Sequence, residues 1–378
     1  MAEACDFLIV GAGIAGASVA YELARLGPVI LVEREDQPGY HTTGRSAALY
    51  SETYGNATMR ALTAAGRDFL LAPPTGFASG PILTPRGTLL VGTAAQSESL
   101  ERSFENCAGV PGLARWSGEQ VRTRVPVFRH EQVAGAVFEP NAMDIDVHAL
   151  HQGFLRGARA HGARLVCNAE VLRLEFHNGR WLVHTRAGDW SAPVIVNAAG
   201  AWADDVGQLA GASSIGLQPL RRTAITFDAP AGARLHDWPA VIDVDEQWYF
   251  KPEAGRILAS PADETPSPPC DAQPDEYDIA VLVERISQAT TFEIRRIHSR
   301  WAGLRSFVAD KTLVAGYDAQ APGFFWLAAQ GGYGIQTSSG ASRAAAALIA
   351  RRDLPADIQD LGVRAEDLSP RRFAAPAV

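Results

Sequence analysis

The chain has 378 residues, of which 47% are apolar and 20% are charged, enough to bury a core in one large or two smaller domains. Its formal net charge of −8 at pH 7 excludes a broadly basic surface. This argues against nucleic acid or an anionic membrane as the main partner, and a small metabolite is the more natural ligand.

The four cysteines lie far apart, and none forms a CxxC or another metal-type spacing. We therefore expect them to be reduced and structural, which leaves any redox chemistry to a cofactor. The N-terminal residues enter a strand pattern without a basic n-region or a cleavable apolar stretch, and no run of about 18 apolar residues follows. The expected location is the cytoplasm, without an integral membrane segment.

The first chemical motif lies between a strand pattern at residues 6–10 and a helix pattern at residues 17–26. Gly11, Gly13 and Gly16 form a GxGxxG in the strand–turn–helix setting that a dinucleotide site requires. The glycines permit a tight turn and a close approach to a pyrophosphate, and the helix N-terminus offers free N–H groups to the anion. The pattern predicts a Rossmann-like domain.

A second strand pattern, PVILVE, ends in Glu33, 22 residues after Gly11. An acidic side chain here accepts hydrogen bonds from ribose hydroxyls and favours NAD or FAD over NADP. The alternative is a glycine-rich turn followed by a chance acid. The motif and the acid together do not separate NAD from FAD.

The next segment, GYHTTGRSAALYSETYG at residues 39–55, is small and rich in hydroxyl groups. A domain that binds only NAD commonly enters its next helix directly at this point. With this segment the sequence resembles the flavoprotein amine oxidoreductases of the D-amino-acid oxidase, glycine oxidase and sarcosine oxidase type. The resemblance implies that residues 42–47 wrap a non-covalently bound FAD, and that the second half of the segment brings Tyr54 to the substrate carboxylate.

Later segments extend the same domain. A short β-branched strand at residues 194–196 precedes NAAGAW, and the strand FFWLAAQ runs into GGYG and a helix of small residues, again a junction suited to a cofactor. The Pro-rich piece near residues 260–276 is expected to be an exposed loop.

The predicted fold class is α/β, with a Rossmann-like FAD-binding domain of the glutathione reductase or D-amino-acid oxidase type. This domain is predicted to comprise residues 1–84, 148–218 and 302–378. Residues 85–147 and 219–301 are predicted to form an inserted substrate domain with an antiparallel sheet, because they are richer in alternating strand patterns such as RTAITF and QWYFKP.

Several motifs resemble those of the D-arginine dehydrogenases of this family most closely. They are GYHTTGRSAA, DIDVHALHQGFLRGAR, VNAAGAW, GLQPLRR, WAGLRSFVAD and AAQGGYGIQTS, and the likeness runs from residue 5 to about residue 372. It implies an FAD enzyme that oxidises D-amino acids to imino acids by hydride transfer from Cα to flavin N5, after which water gives a 2-oxo acid and ammonia.

Oxidation of an amino acid by a flavin requires the Cα–H bond to be aimed at N5, so the main task of the protein is positioning. Arginine is best suited to grip the substrate carboxylate through two parallel hydrogen bonds. The family motifs place Arg222 and Arg305 in this role. Arg221 and Arg222 face opposite sides of a strand, and the motif favours Arg222. The alternative for each arginine is a surface salt bridge.

The resemblance also implies the remaining site residues, with half-buried core tyrosines as the alternative for Tyr54 and Tyr249. The catalytic candidates are Tyr54, Arg222, Tyr249, Arg305, Gly332 and Gln336. The substrate-pocket candidates are Leu49, Ser51, Thr88, Ile242 and Ile335. The cofactor-binding candidates are Gly11, Gly13, Ile14, Ala15, Gly16, Glu33, Arg34, Thr42, Thr43, Arg45, Ser46, Ala47, Val171, Ala199, Gly200, Gly303, Gly331, Gly332, Tyr333, Gly334, Ile335, Gln336 and Thr337.

Two positions depart from the D-arginine dehydrogenases. Thr88 stands where those enzymes have a glutamate that pairs with the substrate guanidinium, and Leu49 stands where they have a histidine near the substrate amine. An unpaired guanidinium in a closed pocket costs several kcal/mol, and both changes make the pocket more apolar. We therefore expect neutral or hydrophobic D-amino acids to be better substrates than D-arginine.

No metal site is expected. His148 and His151 lie three residues apart on a predicted helix without a carboxylate or cysteine complement, and we assign both to the helix surface. Rival functions are a glycine-, sarcosine- or 2-hydroxy-acid-oxidising enzyme of the same fold, an NAD-dependent enzyme, and a non-catalytic flavin-binding module, which would not need a carboxylate clamp. The electron acceptor is O2 or a quinone-like carrier, and the resemblance favours a dehydrogenase.

Overall fold

Two large β-sheets organise the computed structural model, which describes residues 2–373. The strands are β1 (Glu3–Ala4), β2 (Phe7–Val10), β3 (Val29–Val32), β4 (Leu49–Tyr50), β5 (Leu83–Pro85), β6 (Thr88–Gly92), β7 (Ala114–Ser117), β8 (Gly135–Glu139), β9 (Met143–Ile145), β10 (Arg164–Val166), β11 (Val171–His177), β12 (Arg180–Thr185), β13 (Gly188–Ala192), β14 (Val194–Asn197), β15 (Gln218–Asp228), β16 (Ala240–Asp243), β17 (Tyr249–Glu253), β18 (Arg256–Ser260), β19 (Thr265–Pro266), β20 (Ile297–Phe307), β21 (Val314–Tyr317) and β22 (Phe324–Ala328). The α-helices are α1 (Ile14–Leu23), α2 (Ala57–Leu71), α3 (Ser97–Asn106), α4 (Gly118–Arg124), α5 (Val147–Ala160), α6 (Ala203–Leu209), α7 (Glu276–Ala289), α8 (Ser338–Ile349), α9 (Ala356–Asp360) and α10 (Ala365–Leu368).

The first sheet has the strand order β10-β3-β2-β14-β22-β21. Its first five strands are parallel, and β21 is antiparallel to β22. Strands β2 (FLIV) and β3 (VILV) are continuous apolar runs, as expected for parallel strands buried on both faces. Helices α1, α5 and α8 contribute to one core cluster, and strands β11 to β13 contribute to a second. This is the layered sheet that the GxGxxG motif predicts.

The second sheet has nine strands in the order β19-β15-β18-β17-β16-β6-β8-β7, with β20 paired to β15. Its pairs are antiparallel except β16 with β6, which is parallel. The sheet contains strands from both predicted insertions, and its core also includes residues of α4 and α7. The predicted antiparallel sheet is therefore present and is assembled from two separate parts of the chain.

Strands rather than linkers connect the two parts of the molecule. Strand β15 begins at Gln218 and β20 ends at Phe307, so both strands run across predicted domain boundaries. The small sheet β4-β9-β5 likewise pairs strands from both predicted domains. Side chains on β15 and β20 are thereby carried from the substrate sheet to the edge of the parallel sheet. The division by residue number stays a prediction.

Two further observations concern the state of the cysteines and the length and hydrophobicity of the helices. All four cysteines are free: Cys5 and Cys107 are buried, Cys167 is half-buried and Cys270 is exposed. Across residues 2–373, no helix is long and apolar enough to cross a membrane.

We predict that Gly340→Ala destabilises the protein. Gly340 lies in α8 against α2, where a Cβ would overlap the backbone carbonyl group of Leu62. Because a backbone atom cannot rotate away, we expect the free energy of unfolding to fall by about 1–3 kcal/mol in urea titrations. The control is Gly109→Ala, since no atom lies within 4 Å of its Cβ position. It should change stability by no more than about 0.5 kcal/mol, and equal effects of the two variants would contradict the assignment.

Candidate active site

Three clefts follow one another beside the parallel sheet, and we number them from the Glu33 end. The first and second clefts share Gly13, Thr42 and Thr43 among their lining residues. The second and third share Ser46, Ala47, Arg222, Tyr249, Arg305, Gly332 and Ile335. Because adjacent clefts share walls, they form one elongated groove that ends in the third cleft.

The GxGxxG segment forms the turn between β2 and α1. Gly11 has φ +96°, and a Cβ there would lie 2.5 Å from the carbonyl oxygen of Ala198, so the position requires glycine. A Cβ on Gly16 would overlap the carbonyl oxygen of Gly11. Gly16 therefore allows the close packing of α1 and lines none of the three clefts, whereas Gly11 and Gly13 line the first.

Glu33 lies at the end of β3 and is 7% exposed. Its carboxylate accepts hydrogen bonds from the backbone N–H groups of Ala12 (2.8 Å) and Glu35 (3.1 Å). Each carboxylate oxygen has a further lone pair, so the group can also accept a ribose hydroxyl. Glu33 and Arg34 line the first cleft, where the Arg34 guanidinium lies 4.7 Å from the ring centroid of Trp202.

Two aromatic side chains at this end of the groove were not among the site residues predicted from the sequence. Trp202 and His41 line the first cleft, and their ring centroids are 4.7 Å apart. The signal for Trp202 was its place at the end of the VNAAGAW motif, directly after the small residues of the turn. The predicted residues Val171, Ala199 and Gly200 also line the first cleft.

The hydroxyl-rich segment closes on the N-terminus of α1. Thr42–Arg45 form a 3-10 helix, and Thr43 Oγ1 accepts the N–H of Ile14 at 3.0 Å. Thr42 Oγ1 donates to the carbonyl oxygen of Leu304 at 2.7 Å, which fixes the segment to β20. The predicted cofactor residues of this region that line the second cleft are Ile14, Ala15, Thr42, Thr43, Arg45, Ser46 and Ala47.

Arg45 lines the second cleft, but its guanidinium binds other parts of the protein. Nη1 donates to the carbonyl oxygens of Ala272 and Ala302, both at 2.9 Å, and Nη2 forms an ion pair with Asp271. Ala272 is only 4% exposed. The Pro-rich segment is therefore not simply an exposed loop, as its composition predicted, because Arg45 holds it against the cofactor side of the protein.

The glycine-rich segment before α8 is divided between the groove and the core. The predicted cofactor residues of this region and of β20 that line the second cleft are Gly303, Gly331, Gly332, Gly334 and Ile335. Tyr333 and Thr337 are 7% and 0% exposed and line none of the three clefts. Thr337 Oγ1 donates to the carbonyl oxygen of Tyr333 at 2.9 Å, so these two predicted cofactor residues support the segment from behind.

Two arginines lie where the second and third clefts meet. Arg222 is 7% exposed, its Nη2 lies 3.1 Å from Glu264, and its buried Nε has no hydrogen-bond partner. Arg305 Nη1 donates to the hydroxyl of Tyr54 at 3.1 Å, and no acidic side chain within residues 2–373 pairs with it. Burial, followed by the positive charge of Arg305, lowers the pKa of Arg222. A bound anion would relieve both the repulsion and the unpaired N–H group.

Tyr54, Tyr249, Gly332 and Gln336 line the third cleft with the two arginines. Burial raises the pKa of Tyr54, so its hydroxyl stays protonated at neutral pH and can donate one hydrogen bond while it accepts one from Arg305. A Cβ on Gly332 would lie 2.9 Å from this hydroxyl and 3.0 Å from Arg305 Nη1, so a side chain at this position would displace the two groups from each other. The structure therefore brings all six catalytic candidates together.

The remaining wall of the third cleft is largely apolar and includes Leu49, Ile242 and Ile335. Two charged residues that were missed in the sequence also line it: Glu246, which is exposed, and Lys251, which is 3% exposed. The period of two along β17 places Lys251 on the same face as Tyr249, a signal that could have identified it.

The Lys251 ammonium group is paired within the protein. Its Nζ lies 2.9 Å from Asp144 and 2.8 Å from Glu253. The cation is thereby neutralised at the wall of the cleft, and its charge does not remain free for a substrate.

Thr88 does not line the third cleft, which corrects the expectation drawn from the sequence. It is 4% exposed and pairs across the strands with Glu139, whose Oε2 lies 3.4 Å from the threonine hydroxyl. Ser51 lines the cleft and donates to the same carboxylate oxygen at 2.7 Å. An acid is thus present behind the wall, and sequence reasoning missed it because Glu139 is distant in the chain.

His151 is also placed differently from the expectation. It is 4% exposed, and its Nε2 lies 2.8 Å from the carbonyl oxygen of Ala12 in the GxGxxG turn. Burial lowers its pKa. His148 is exposed, as predicted for a helix surface. His151 therefore supports the dinucleotide turn from α5.

The groove suits a long dinucleotide with its ribose at Glu33 and its phosphates at the glycine turn. A family model described as FAD dependent oxidoreductase, abbreviated DAO, matches residues 6–348. The chain belongs to this family. Its cofactor is FAD, and the α/β fold predicted from the sequence is confirmed.

Several known proteins are similar to this DAO family member. FAD-dependent oxidoreductase domain-containing protein 1 of Bos taurus is 25% identical, with 92% of this chain and 81% of that protein covered. Glycine oxidase of Geobacillus kaustophilus is 23% identical, with 95% and 96% covered. The dimethylglycine dehydrogenase of Mus musculus is 24% identical over 68% of this chain, which spans only 30% of that protein.

A solved structure shows the same fold. The L-proline dehydrogenase of P. horikoshii superposes with a TM-score of 0.83 at 21% sequence identity, and 99% of this chain and 98% of that chain are covered. Structure is therefore retained over almost the whole length although most residues differ.

We predict that Asp271→Ala weakens FAD binding by loosening the segment that Arg45 holds. Asp271 is about half exposed, and a partly exposed ion pair contributes up to about 1 kcal/mol, so the Kd for FAD should rise about two- to fivefold. Titration of the apoprotein by flavin fluorescence measures the Kd, and the difference should shrink at high salt. Cys270→Ala, on the same segment, should leave the Kd unchanged. A Kd for Asp271→Ala equal to that of the wild type would contradict the role of the ion pair.

Proposed function

We propose that the protein is an FAD-dependent D-amino acid dehydrogenase, with FAD held non-covalently. It converts D-amino acids to imino acids, which water turns into 2-oxo acids and ammonia. The observation that carries this proposal is the pair of guanidinium groups of Arg222 and Arg305, which lie where the second cleft meets the largely apolar third cleft. A carboxylate is the common handle of amino acids. It suits the unpaired charge of Arg305 and the free Nε–H of Arg222, whose Nη2 is paired with Glu264.

The clamp has the polar groups that a carboxylate requires. Arg305 presents a guanidinium without an acidic partner among the described residues, and Arg222 has an unpartnered Nε–H. The Tyr54 hydroxyl accepts a hydrogen bond from one N–H group of Arg305, so its own proton is available for a hydrogen bond to the carboxylate. A carboxylate bound here is held by charge-assisted hydrogen bonds, and the adjoining apolar walls exclude water from the carbon to be oxidised.

The chemistry divides between the cofactor and the protein. FAD, when bound, accepts the hydride released from the substrate Cα. The protein holds the carboxylate with Arg222, Arg305 and Tyr54, while Gly332 offers its carbonyl group at the same end of the groove. Gln336 lines the same wall, but its amide is already hydrogen-bonded to Ser51 and Thr63. A neutral substrate amine supplies its own lone pair to the reaction, so no strong base is required from the protein.

The composition of the third cleft supports neutral or hydrophobic side chains. Leu49, Ile242 and Ile335 line it, and Lys251 is already paired with Asp144 and Glu253. Glu246 is exposed, so an acid at this position faces water and contributes little to binding a cationic side chain. The D configuration is proposed from the likeness of the motifs to D-arginine dehydrogenases, and the same likeness favours a dehydrogenase with a quinone-like acceptor.

A glycine-oxidising activity is the second candidate. It is favoured by glycine oxidase of G. kaustophilus, because that protein and this chain cover each other almost completely. The two candidates share the carboxylate clamp and differ in the side chain that the third cleft must receive.

The test is anaerobic mixing of the yellow protein with single D- and L-amino acids, glycine, sarcosine and 2-hydroxy acids. Bleaching of the flavin absorbance reports which compounds are oxidised, and readmission of air or addition of a quinone reports the acceptor. Bleaching by several D-amino acids supports the proposal. Bleaching by glycine or sarcosine alone supports the second candidate, and no bleaching by any amine or hydroxy acid contradicts both.

We predict a substrate order set by the apolar walls. D-leucine, D-methionine, D-phenylalanine and D-proline should give higher kcat/KM values than D-arginine, by about tenfold or more, because burying a guanidinium without a paired acid costs more than about 1.4 kcal/mol. A steady-state panel with an artificial electron acceptor measures these values. D-arginine in first place would contradict the prediction.

We predict that Arg305→Ala lowers kcat/KM at least about hundredfold, since it leaves a buried carboxylate without its charged partner. The matched control is Arg221→Ala on β15, whose side chain pairs with Asp278 at 2.8 Å and lines none of the three clefts. The control should stay within about threefold of the wild type. A loss below about fivefold for Arg305→Ala would show that the carboxylate is held elsewhere.

A further inference from the structure

Glu139, the last residue of β8, is a buried acid that the proposed chemistry does not use. It is 1% exposed and lines none of the three clefts. No cationic side chain within residues 2–373 forms an ion pair with it, and burial raises its pKa. Burying a carboxylate without a cation is unfavourable for folding. The position therefore calls for an explanation other than stability.

The Glu139 carboxylate binds three consecutive residues. Oε2 accepts hydrogen bonds from the hydroxyls of Ser51 (2.7 Å) and Thr53 (2.8 Å), and Oε1 accepts the backbone N–H of Glu52 (2.7 Å). Residues 51–56 belong to no helix or strand, so side-chain hydrogen bonds largely set their conformation. Tyr54 follows the last of the three bound residues.

The same segment is held from its other side by Gln336. The N–H of Ser51 donates to Gln336 Oε1, and Gln336 Nε2 donates to the carbonyl oxygen of Ser51, both at 3.2 Å. Glu139 therefore completes a link from the substrate sheet, through Ser51, to a residue of the proposed active site. Because Glu139 reaches the site only through this segment, it is a positioning residue and not a catalytic one.

We propose that Glu139 positions Tyr54 for carboxylate binding by fixing Ser51, Glu52 and Thr53. This inference rests on the proposed carboxylate clamp of Tyr54 and Arg305. The Tyr54 hydroxyl lies 3.1 Å from Arg305, and a shift of the segment by about 1 Å would break that hydrogen bond. The carboxylate at the end of β8 therefore sets the position of the Tyr54 hydroxyl in the substrate site.

The variant for the test is Glu139→Gln, and the probe is benzoate, a carboxylate that cannot be oxidised here. Flavin absorbance changes on titration give the Kd for benzoate, and thermal unfolding of the holoprotein gives the Tm. We expect the Kd to rise at least about fivefold. We expect a Tm close to that of the wild type and an unchanged FAD content. The amide loses at least one of the three hydrogen bonds, which frees the segment, but it also removes a buried charge.

The control for a merely structural effect is Asp318→Asn. Asp318 is a buried carboxylate that accepts from Trp326 Nε1 (3.0 Å) and from the backbone N–H groups of Gln320 (2.8 Å) and Ala321 (2.9 Å), and it lines none of the three clefts. Its benzoate Kd should stay within about twofold of the wild type. An equal rise in the control would overturn the inference.

Two further variants test the route through Tyr54. In a Tyr54→Phe background, Glu139→Gln should change the benzoate Kd by less than about twofold, since residues that act as a unit are not additive. Thr53→Val removes one hydrogen-bond donor to Glu139 at a half-buried position. It should raise the Kd for benzoate by a smaller factor than Glu139→Gln does. This variant keeps the inference testable if Glu139→Gln does not fold. A full effect of Glu139→Gln without the Tyr54 hydroxyl, or none of Thr53→Val, would overturn the inference.

Arg305→Ala separates this inference from the proposed function. If the wild type binds benzoate and Arg305→Ala does not, the clamp stands, and an unchanged Kd in Glu139→Gln then overturns the positioning role alone. If benzoate fails to bind the wild type, or binds Arg305→Ala equally well, the clamp itself is wrong and both proposals fall.

Discussion

The antiparallel pairing of β15 with β20 is the constraint on which the groove depends. The two strands pair from Gln218 with Phe307 to Phe227 with Ile297, and they extend from the substrate sheet to the edge of the cofactor groove. Arg222 lies on one strand and Arg305 on the other, so their mutual position is set by backbone hydrogen bonds along the whole ladder. The ladder holds two like charges near each other, and the ion pair of Arg222 with Glu264 offsets part of their repulsion.

Sequence reasoning succeeded where the determining contacts are local. The turn at Gly11 depends on a backbone conformation that glycine alone adopts without strain, and the acid at Glu33 lies at a fixed distance along the chain. The period of two along a strand placed Arg221 and Arg222 on opposite sides, and the family motif favoured Arg222 as the inward one. The salt bridge of Arg221 to Asp278 agrees with this assignment. These features require no knowledge of distant parts of the chain.

Sequence reasoning failed where a distant residue decides the environment. Thr88 was expected to face the substrate, but it lies against its cross-strand neighbour Glu139. The two residues are 51 positions apart, and no short-range sequence pattern predicts their pairing. His151 carries no local sign that its ring reaches the carbonyl of Ala12. The substrate argument survives this correction in an altered form, because the acid behind the wall is already bound by hydroxyl and amide donors and is not free to pair with a guanidinium.

Two buried charged side chains lie where the nine-stranded sheet contacts neighbouring parts of the chain. Lys251 and Asp144 form an ion pair between the nine-stranded and the three-stranded sheet, and Glu139 joins the nine-stranded sheet to residues 51–53. Such groups are unfavourable to bury, yet their directional hydrogen bonds fix relative positions more narrowly than apolar contacts do. An apolar interface would tolerate small sliding movements between the nine-stranded sheet and the segments that it contacts. A hydride transfer that depends on ångström-scale alignment would not tolerate them, and this explains why charges border a pocket whose own walls are largely apolar.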